Sequence, residues 1–179
     1  MAEKYSVVRT DNMMGTNVGT YLDSVRFYKV ETKDGKSVDV EKEIENGNVV
    51  EVGGLLEGER ELHRAVAPAA NTDIKKIGLV ASPEVLYDER KRALYDFINR
   101  AGANVRIYYL HSGDEFGVTI EGLNVANGYE IKVGDAVELM AGTKLNVVAS
   151  ATSGSTQVGK IIAIEKAGRD GTFYVVRVA

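Results

Sequence analysis

The stretch Gly128–Ser150, GYEIKVGDAVELMAGTKLNVVAS, carries the pattern that decides the fold class. Tyr129, Ile131 and Val133 alternate with Glu130 and Lys132, and Val137 and Leu139 then alternate with Ala136, Glu138 and Met140; glycine lies at each break. A period of two over runs of strand length, interrupted at glycines, is typical of half-buried antiparallel strands. We therefore predict a turn-rich antiparallel meander here, and the pattern by itself indicates no chemistry.

The flanking sequence extends this β pattern over most of the chain. Asp34–Gly35 predicts a hairpin turn after a strand at Tyr21–Val30, and a terminal hairpin is predicted between Lys160–Glu165 and Thr172–Val178. An amphipathic apolar stripe predicts one helix near 88–100. The predicted fold class is mainly β (α+β), with turn-rich antiparallel β-barrel or sandwich units and one covering helix near 88–100.

Two pairs of segments resemble each other and suggest two related β units. The pairs are Val49–Leu56 (VVEVGGLL) with Ile131–Leu139 (IKVGDAVEL), and Asp73–Ser82 (DIKKIGLVAS) with Ser155–Glu165 (STQVGKIIAIE). We place the division near residue 112. Residues 1–111 would then hold an N-terminal arm, a β unit and the helix, and residues 112–179 a small barrel-like unit. A single domain that contains both units is the alternative.

Composition restricts the classes of function. The chain has 179 residues, a net charge of -4 and no cysteine. The acidic balance argues against nucleic-acid binding, and the lack of cysteine excludes disulfides and thiolate chemistry. No apolar run is long enough to span a bilayer. We expect synthesis in a cytoplasm, no cofactor and no metal site.

The candidate catalytic groups form no recognisable constellation. His63 and His111 lie in unrelated contexts, and the adjacent carboxylates Asp114–Glu115 would point to opposite faces of a strand. The chain has no nucleotide-binding glycine motif and no nucleophile elbow. Lys144, in AGTKLN, is the nearest candidate for a lysine modified as in lipoyl or biotinyl carrier domains. We therefore predict a binding or structural protein and not an enzyme.

The N-terminal segment Tyr5–Thr20 is the candidate contact region. After a short strand pattern at Tyr5–Arg9 it is polar, contains two glycines and shows no periodicity. One interpretation is an arm that becomes ordered on a partner. The other is an integral edge strand or loop, with Met13 and Met14 packed into the core.

A family resemblance takes the prediction further. The segments GDEFGVTIEGL, IKVGDAVELMAGTKLNVVAS and VGKIIAIEKAGRDGTFYVVRV together resemble the capsid decoration (cement, or head-stabilising) proteins of tailed bacteriophages. The N-terminal VRTDNMMGTNVGTYLDSVRFY, with IENGNVVEVGGLL and GERE, is similar to proteins encoded beside major capsid protein genes. The shared patterns are turns and strands, not catalytic signatures.

The resemblance implies a structural virion protein, made in the host cytoplasm, that binds the outside of the capsid. Its partner would be the major capsid protein, with a homo-oligomer on the capsid as a further expectation, and with no nucleic-acid or membrane partner. The expected capsid-contact residues are Tyr5, Arg9, Asn12, Met13 and Met14. Two other functions stay open: a carbohydrate-binding or adhesion module on the virion surface, suggested by nine tyrosines, and an enzyme accessory or carrier domain.

Overall fold

The computed structural model describes residues 4–88, 93–166, 168 and 171–179. Within these ranges the chain is mainly β, which confirms the predicted fold class, and it contains one short α-helix, α1 (Met14–Asn17). That helix is far too short to cross a bilayer. The strands are β1 (Val8–Asn12), β2 (Leu22–Lys33), β3 (Lys36–Glu41), β4 (Val49–Leu55), β5 (Leu62–Val66), β6 (Ile77–Val80), β7 (Val105–Tyr109), β8 (Glu115–Thr119), β9 (Leu123–Val125), β10 (Ala136–Glu138), β11 (Leu145–Val148), β12 (Gln157–Lys166) and β13 (Thr172–Val178).

Five strands close into a ring that we call the N-terminal barrel. Their order is β2-β5-β4-β6-β7, and β7 pairs again with β2. The β2–β5 pair is parallel and the other four pairs are antiparallel. Beyond Phe27, β2 leaves β5 and pairs only with β3, so the two strands form a hairpin that extends from the barrel.

The remaining strands form a second unit, the C-terminal barrel. Its order is β8-β13-β12-β10-β11-β9, with β9 parallel to β11. Strands β8 and β9 follow each other directly through a 3-10 turn, Ile120–Gly122, so chain continuity and not strand pairing joins the two ends of this sheet. The terminal β12–β13 hairpin is antiparallel, as predicted.

The two barrels share one topology. If β8 and β9 together take the place of β2, then β10, β11, β12 and β13 correspond to β4, β5, β6 and β7, with the same neighbours and the same parallel pair. The registers agree as well, because Val50 lies opposite Gly78 and Val137 lies opposite Gly159. These are the segments whose sequences resemble each other, which supports the predicted pair of related β units.

One apolar core joins the barrels. On β6, Val80 points into the N-terminal barrel, whereas Ile77 and Leu79 belong to a larger cluster with Val137, Leu145 and other residues of the C-terminal barrel. Alternate residues of a strand point to opposite faces, so β6 is apolar throughout because both of its faces are buried. Backbone hydrogen bonds also cross the junction; Thr156 N–H donates to the Ala70 carbonyl at 2.7 Å.

The predicted covering helix near 88–100 is not found where the chain is described. Residues 89–92 lie outside the described residues, and the rest of the range contains only a 3-10 turn, Leu94–Asp96. Asn99 instead forms a β-bridge with Ile44, and its side-chain amide donates to the Ile44 carbonyl at 3.0 Å. Hydrogen bonds to the barrel therefore replace the helical ones that the apolar spacing predicted.

Three further predictions need correction. Tyr129–Val133 is a loop and not the first strand of a meander; its alternation reflects one buried side chain, Ile131. The pairing is also not purely antiparallel, since β11 runs parallel to β9. The N-terminal arm was assigned to the first unit, but β1 pairs with β8 and extends the sheet of the second.

Candidate protein-binding surface

The N-terminal segment is attached to both barrels before the first barrel strand begins. Ser6 N–H donates to the Glu45 carboxylate at 2.8 Å on the N-terminal side. Val7 N–H donates to Thr119 Oγ1 at 3.1 Å on the C-terminal side, and Thr119 N–H donates back to the Val7 carbonyl at 3.0 Å. The segment is therefore an ordered part of the fold, which favours the edge-strand interpretation for the free protein.

Asp114 fixes the segment again after β1. This carboxylate is 4% exposed and lies in the connection between the barrels. It accepts a hydrogen bond from Met14 N–H at 2.6 Å and another from His111 N–H at 3.0 Å. The start of α1 and the connection between the barrels are thus held by one side chain, and sequence reasoning had considered Asp114 only as half of a carboxylate pair.

Arg9 is held against the outer face of the C-terminal barrel. Its guanidinium lies 4.3 Å from the centre of the Phe173 ring and forms an ion pair with Glu165. Gly117 lies beneath it, where an added Cβ would approach the Arg9 Nε to 3.1 Å. The absence of a side chain at Gly117 lets Arg9 cover Phe173, which is only 2% exposed. Cation–π contact and charge pairing both favour this position.

The other expected contact residues differ in exposure. Met13 is completely buried in the shared core, whereas Met14 is 44% exposed. Asn12 is exposed and donates from its amide to Glu115 at 3.3 Å, and Tyr5 is half-buried, with its N–H on the Tyr95 carbonyl. Of the five residues, Met13 acts inside the fold and not at its surface.

We use the term junction surface for the exposed side chains that the segment presents between the barrels. Its apolar members are Met14 and Val18, the latter 39% exposed. The polar residues Asp11, Asn12 and Thr16, near them in the chain, are also exposed. The Thr16 hydroxyl donates to the Thr10 carbonyl at 2.7 Å, which closes the turn that presents Met14. An ordered apolar pair inside a polar rim is typical of a protein-binding surface.

His63 takes part in a polar network that joins neighbouring barrel strands. Its Nε2 lies 3.3 Å from Asp23 Oδ2, and its Nδ1 lies 3.0 Å from the Gly53 carbonyl. The Tyr109 hydroxyl donates to the same Asp23 oxygen at 3.2 Å. Burial, with the Asp23 charge and hydrogen bond, raises the pKa of Tyr109 to about 12. The network links β2, β4, β5 and β7 around the barrel.

The side chains of the remaining candidates, His111 and Lys144, do not bond to the side chains of this network. The His111 ring packs against the Tyr21 ring in a tilted arrangement, with ring centres 4.0 Å apart, and its Nδ1 lies 3.0 Å from the Tyr109 carbonyl. Neither histidine belongs to a group of three or more metal-ligating side chains among the described residues. Lys144 is exposed beside the start of β11.

A concave surface lies beside the connection from β6 to β7. The groove has a volume of about 830 Å³. Tyr87, which is 94% exposed, and Phe97 line it together with Arg100 and Arg106. Aromatic faces beside hydrogen-bonding groups suit sugar rings as well as protein side chains.

Sequence reasoning missed the projecting β2–β3 hairpin as a surface. Its residues from Lys29 to Lys36 are exposed, apart from a half-buried Glu31. The sequence did contain the signal for an exposed, charged hairpin, because Asp34–Gly35 predicted the turn and a lysine lies on each side of it. What the sequence could not give was the face on which each charge lies.

The chain matches no protein-family model, no curated protein and no solved structure.

Proposed function

We infer that the protein is a structural virion component, made in the host cytoplasm, that binds the outside of a phage capsid and stabilises contacts between major capsid protein subunits. The resemblance of its turn and strand patterns to capsid decoration proteins motivates the proposal. The observation that carries it is the junction surface, where Met14 and Val18 are exposed on a segment anchored to both barrels.

The junction surface is preorganised for binding. A surface that is ordered before binding loses less conformational entropy when a partner covers it. The hydrogen bonds from Met14 N–H to Asp114 and from the Thr16 hydroxyl to Thr10 hold the junction surface in one shape. A contact of about 800 Å² per partner suffices for a specific interface. The repetition of that contact by lattice symmetry would add many modest contributions across the shell.

The expected contact residues can be sorted by their surroundings. Met14 and Asn12 are proposed to touch the capsid protein directly, with Tyr5 at the margin. Arg9 already holds Glu165 and covers Phe173, so it is proposed to shape the surface beside the contact. Met13 supports the contact from the core.

Deletion of the first 20 residues is a poor test, because it would remove Val7, Val8 and Met13 from the core. The sharper test is co-sedimentation with expanded, undecorated capsids of the matching phage, followed by cryo-EM of the pellet. Wild-type protein is expected to saturate symmetry-related sites, and Met14→Glu with Val18→Glu to abolish binding while the fold is retained.

Val133→Glu is the matched control, because Val133 is 62% exposed in a turn of the C-terminal barrel. This variant is expected to bind like wild type. A wild-type protein that fails to pellet with the capsids contradicts the proposed function. Wild-type binding that survives both junction changes rejects the junction surface as the contact.

The second candidate function, a virion-surface carbohydrate-binding module, draws on the groove that contains Tyr87 and Phe97. A glycan array distinguishes it. Specific glycan binding that Tyr87→Ala abolishes would favour adhesion, and a protein that binds capsids but no glycan would favour decoration.

A further inference from the structure

The β2–β3 hairpin presents an unpaired strand edge. Asp34 and Gly35 both have positive φ, 51° and 74°, which is the conformation of a tight two-residue hairpin turn. Strand β3 pairs with β2 along its whole length, and no other described strand pairs with it. Its outer backbone N–H and C=O groups are therefore free to accept another strand.

The charges of the hairpin are sorted by face. On one face, Asp39 accepts two hydrogen bonds from Arg64, and Glu41 lies 3.6 Å from Arg26. Both acids on this face are thus neutralised by arginines of the barrel. The Arg64 hydrogen bonds hold the pKa of Asp39 below its usual value, so this carboxylate stays charged and occupied.

The opposite face, which we call the lysine face, is left positive. Its single acid, Glu31, pairs with Lys42 at 3.4 Å. Lys29, Lys33 and Lys36 form no ion pair with any described residue, and Lys33 lies directly opposite Lys36 in the strand register. Like charges in that position destabilise a hairpin. Such a concentration of positive charge is notable in a chain with a net charge of -4.

We propose that the β3 edge and the lysine face together dock an acidic, extended protein segment as an added strand. The free backbone groups of β3 would supply the main-chain hydrogen bonds of strand addition. Lys36 would lie beside the incoming strand, and Lys29 and Lys33, one strand further in on β2, would add attraction for carboxylates on the same face of that strand. Val38, 39% exposed on the same face of β3, offers apolar contact. The identity of the partner, a segment of the capsid shell, rests on the proposed function.

Edge lysines can also serve only to prevent strand pairing between molecules. The two roles predict opposite results with an acidic strand. The probe is a short synthetic peptide that alternates glutamate with valine and threonine, titrated into the full chain and followed by amide shifts in NMR. The same peptide with lysine in place of glutamate is the control probe.

The docking role predicts shifts confined to the hairpin and slowed exchange of the β3 N–H groups that point away from β2. Lys33→Glu combined with Lys36→Glu is expected to weaken peptide binding about tenfold. Lys75→Glu with Lys76→Glu is the matched control: these lysines are also exposed on the N-terminal barrel but lie outside the hairpin, and the variant should bind like wild type.

Three results would overturn the proposal: no binding, shifts outside the hairpin, or equal binding of the lysine peptide. A dimer formed through the β3 edge, seen by sedimentation, would also overturn it, because the occupant would be a second copy. Capsid co-sedimentation separates the two proposals. If the wild-type protein binds the peptide but no capsid, the proposed capsid decoration is rejected and strand docking is not. If the Lys33→Glu, Lys36→Glu variant binds capsids as well as wild type does, a capsid segment is rejected as the occupant of the β3 edge.

Discussion

The N-terminal and C-terminal barrels use the same strand order but complete their rings differently. In the N-terminal barrel the single strand β2 pairs with β7 and with β5, so hydrogen bonds close the ring. In the C-terminal barrel the corresponding strand is divided into β8 and β9, and β1 from the N-terminal segment covers the free side of β8. The barrels thus differ in how much they depend on residues outside the ring.

The elements that belong to only one barrel are also the ones with functional proposals. The N-terminal barrel lengthens β2 into the projecting hairpin, and the C-terminal barrel takes up β1, whose continuation forms the junction surface. The shared strands are mostly occupied with the core. This comparison suggests that the common barrel provides stability while the additions provide contacts.

The largest expected effect on stability is a difference between substitutions at two equivalent glycines, Gly78 in the N-terminal barrel and Gly159 in the C-terminal barrel. An alanine at Gly159 would overlap the backbone carbonyl of Arg177, whereas the nearest atoms to an alanine at Gly78 belong to the Ile107 side chain, with Cδ1 at 2.8 Å and Cβ at 3.0 Å. We expect Gly159→Ala to lower the free energy of unfolding by more than about 4 kcal/mol. Gly78→Ala should lose roughly 1–3 kcal/mol. Urea unfolding measures both, and equal losses would show that the two barrels pack alike at this position.

The next effect tests the dependence of the C-terminal barrel on the N-terminal segment. Met13→Ala removes a fully buried side chain from the shared core and should lower the free energy of unfolding by about 2–5 kcal/mol. Met14→Ala, at the neighbouring exposed position, should change it by less than about 0.5 kcal/mol. Thermal unfolding of the two variants gives the comparison. A small loss for Met13→Ala would mean that β1 is only loosely attached.

Local patterns predicted individual elements well but not their partners. The Asp34–Gly35 turn and the β12–β13 hairpin were readable because turn chemistry and alternation act over a few residues. The helix near 88–100 was not, because apolar spacing cannot reveal that Asn99 bonds to Ile44 at a distance of 55 residues. The parallel β9–β11 pair depends on ring closure, for which no short segment carries a signal.

For the candidate surfaces too, the sequence predicted the segments involved but not how their side chains are arranged. The sequence predicted the N-terminal segment as a candidate contact region, which stays a prediction, and it gave no reason to separate Met13 from Met14, since burial of adjacent residues depends on the path of the chain. The lysine face required the register of β2 against β3. Residue types therefore indicated where charge lies along the chain, and only the fold showed which charges are already paired.

A smaller difference in stability is expected between substitutions at two corresponding acids, Glu51 on β4 and Glu138 on β10. Glu138 is 2% exposed and accepts three hydrogen bonds, from the Thr152 N–H, the Thr152 hydroxyl and the Asn146 amide. Burial opposes ionisation, but these hydrogen bonds outweigh it and hold the pKa of Glu138 below its usual value. Among the described residues, the Glu51 carboxylate accepts a hydrogen bond only from the Thr72 hydroxyl, at 3.2 Å.

A carboxyl whose pKa is depressed by folding stabilises the native state above its unfolded pKa, and the contribution is lost as the pH falls through the folded pKa. We therefore expect Glu138 to stabilise the protein at neutral pH and to lose that effect below roughly pH 4. Glu138→Gln should lower the free energy of unfolding by about 1–3 kcal/mol at pH 7, and by less in acid. Glu51→Gln should have a smaller effect at pH 7, and a reversed order would reject the role of the Thr152 hydrogen bonds.

The smallest expected change in stability comes from the β2–β3 hairpin, where stability and peptide binding should change in opposite directions. Lys33→Glu alone would place opposite charges across the register from Lys36, so thermal unfolding should show stabilisation of about 0.2–1 kcal/mol. The same change should weaken binding of the acidic peptide, because one of the three lysines is inverted. The double variant with Lys36→Glu restores a like-charge pair and should return to wild-type stability while binding falls further. Stability that falls with Lys33→Glu would show that the two lysines do not repel each other. Stability that rises while binding is lost would mean that the chain keeps a destabilising pair of lysines because the pair binds a partner.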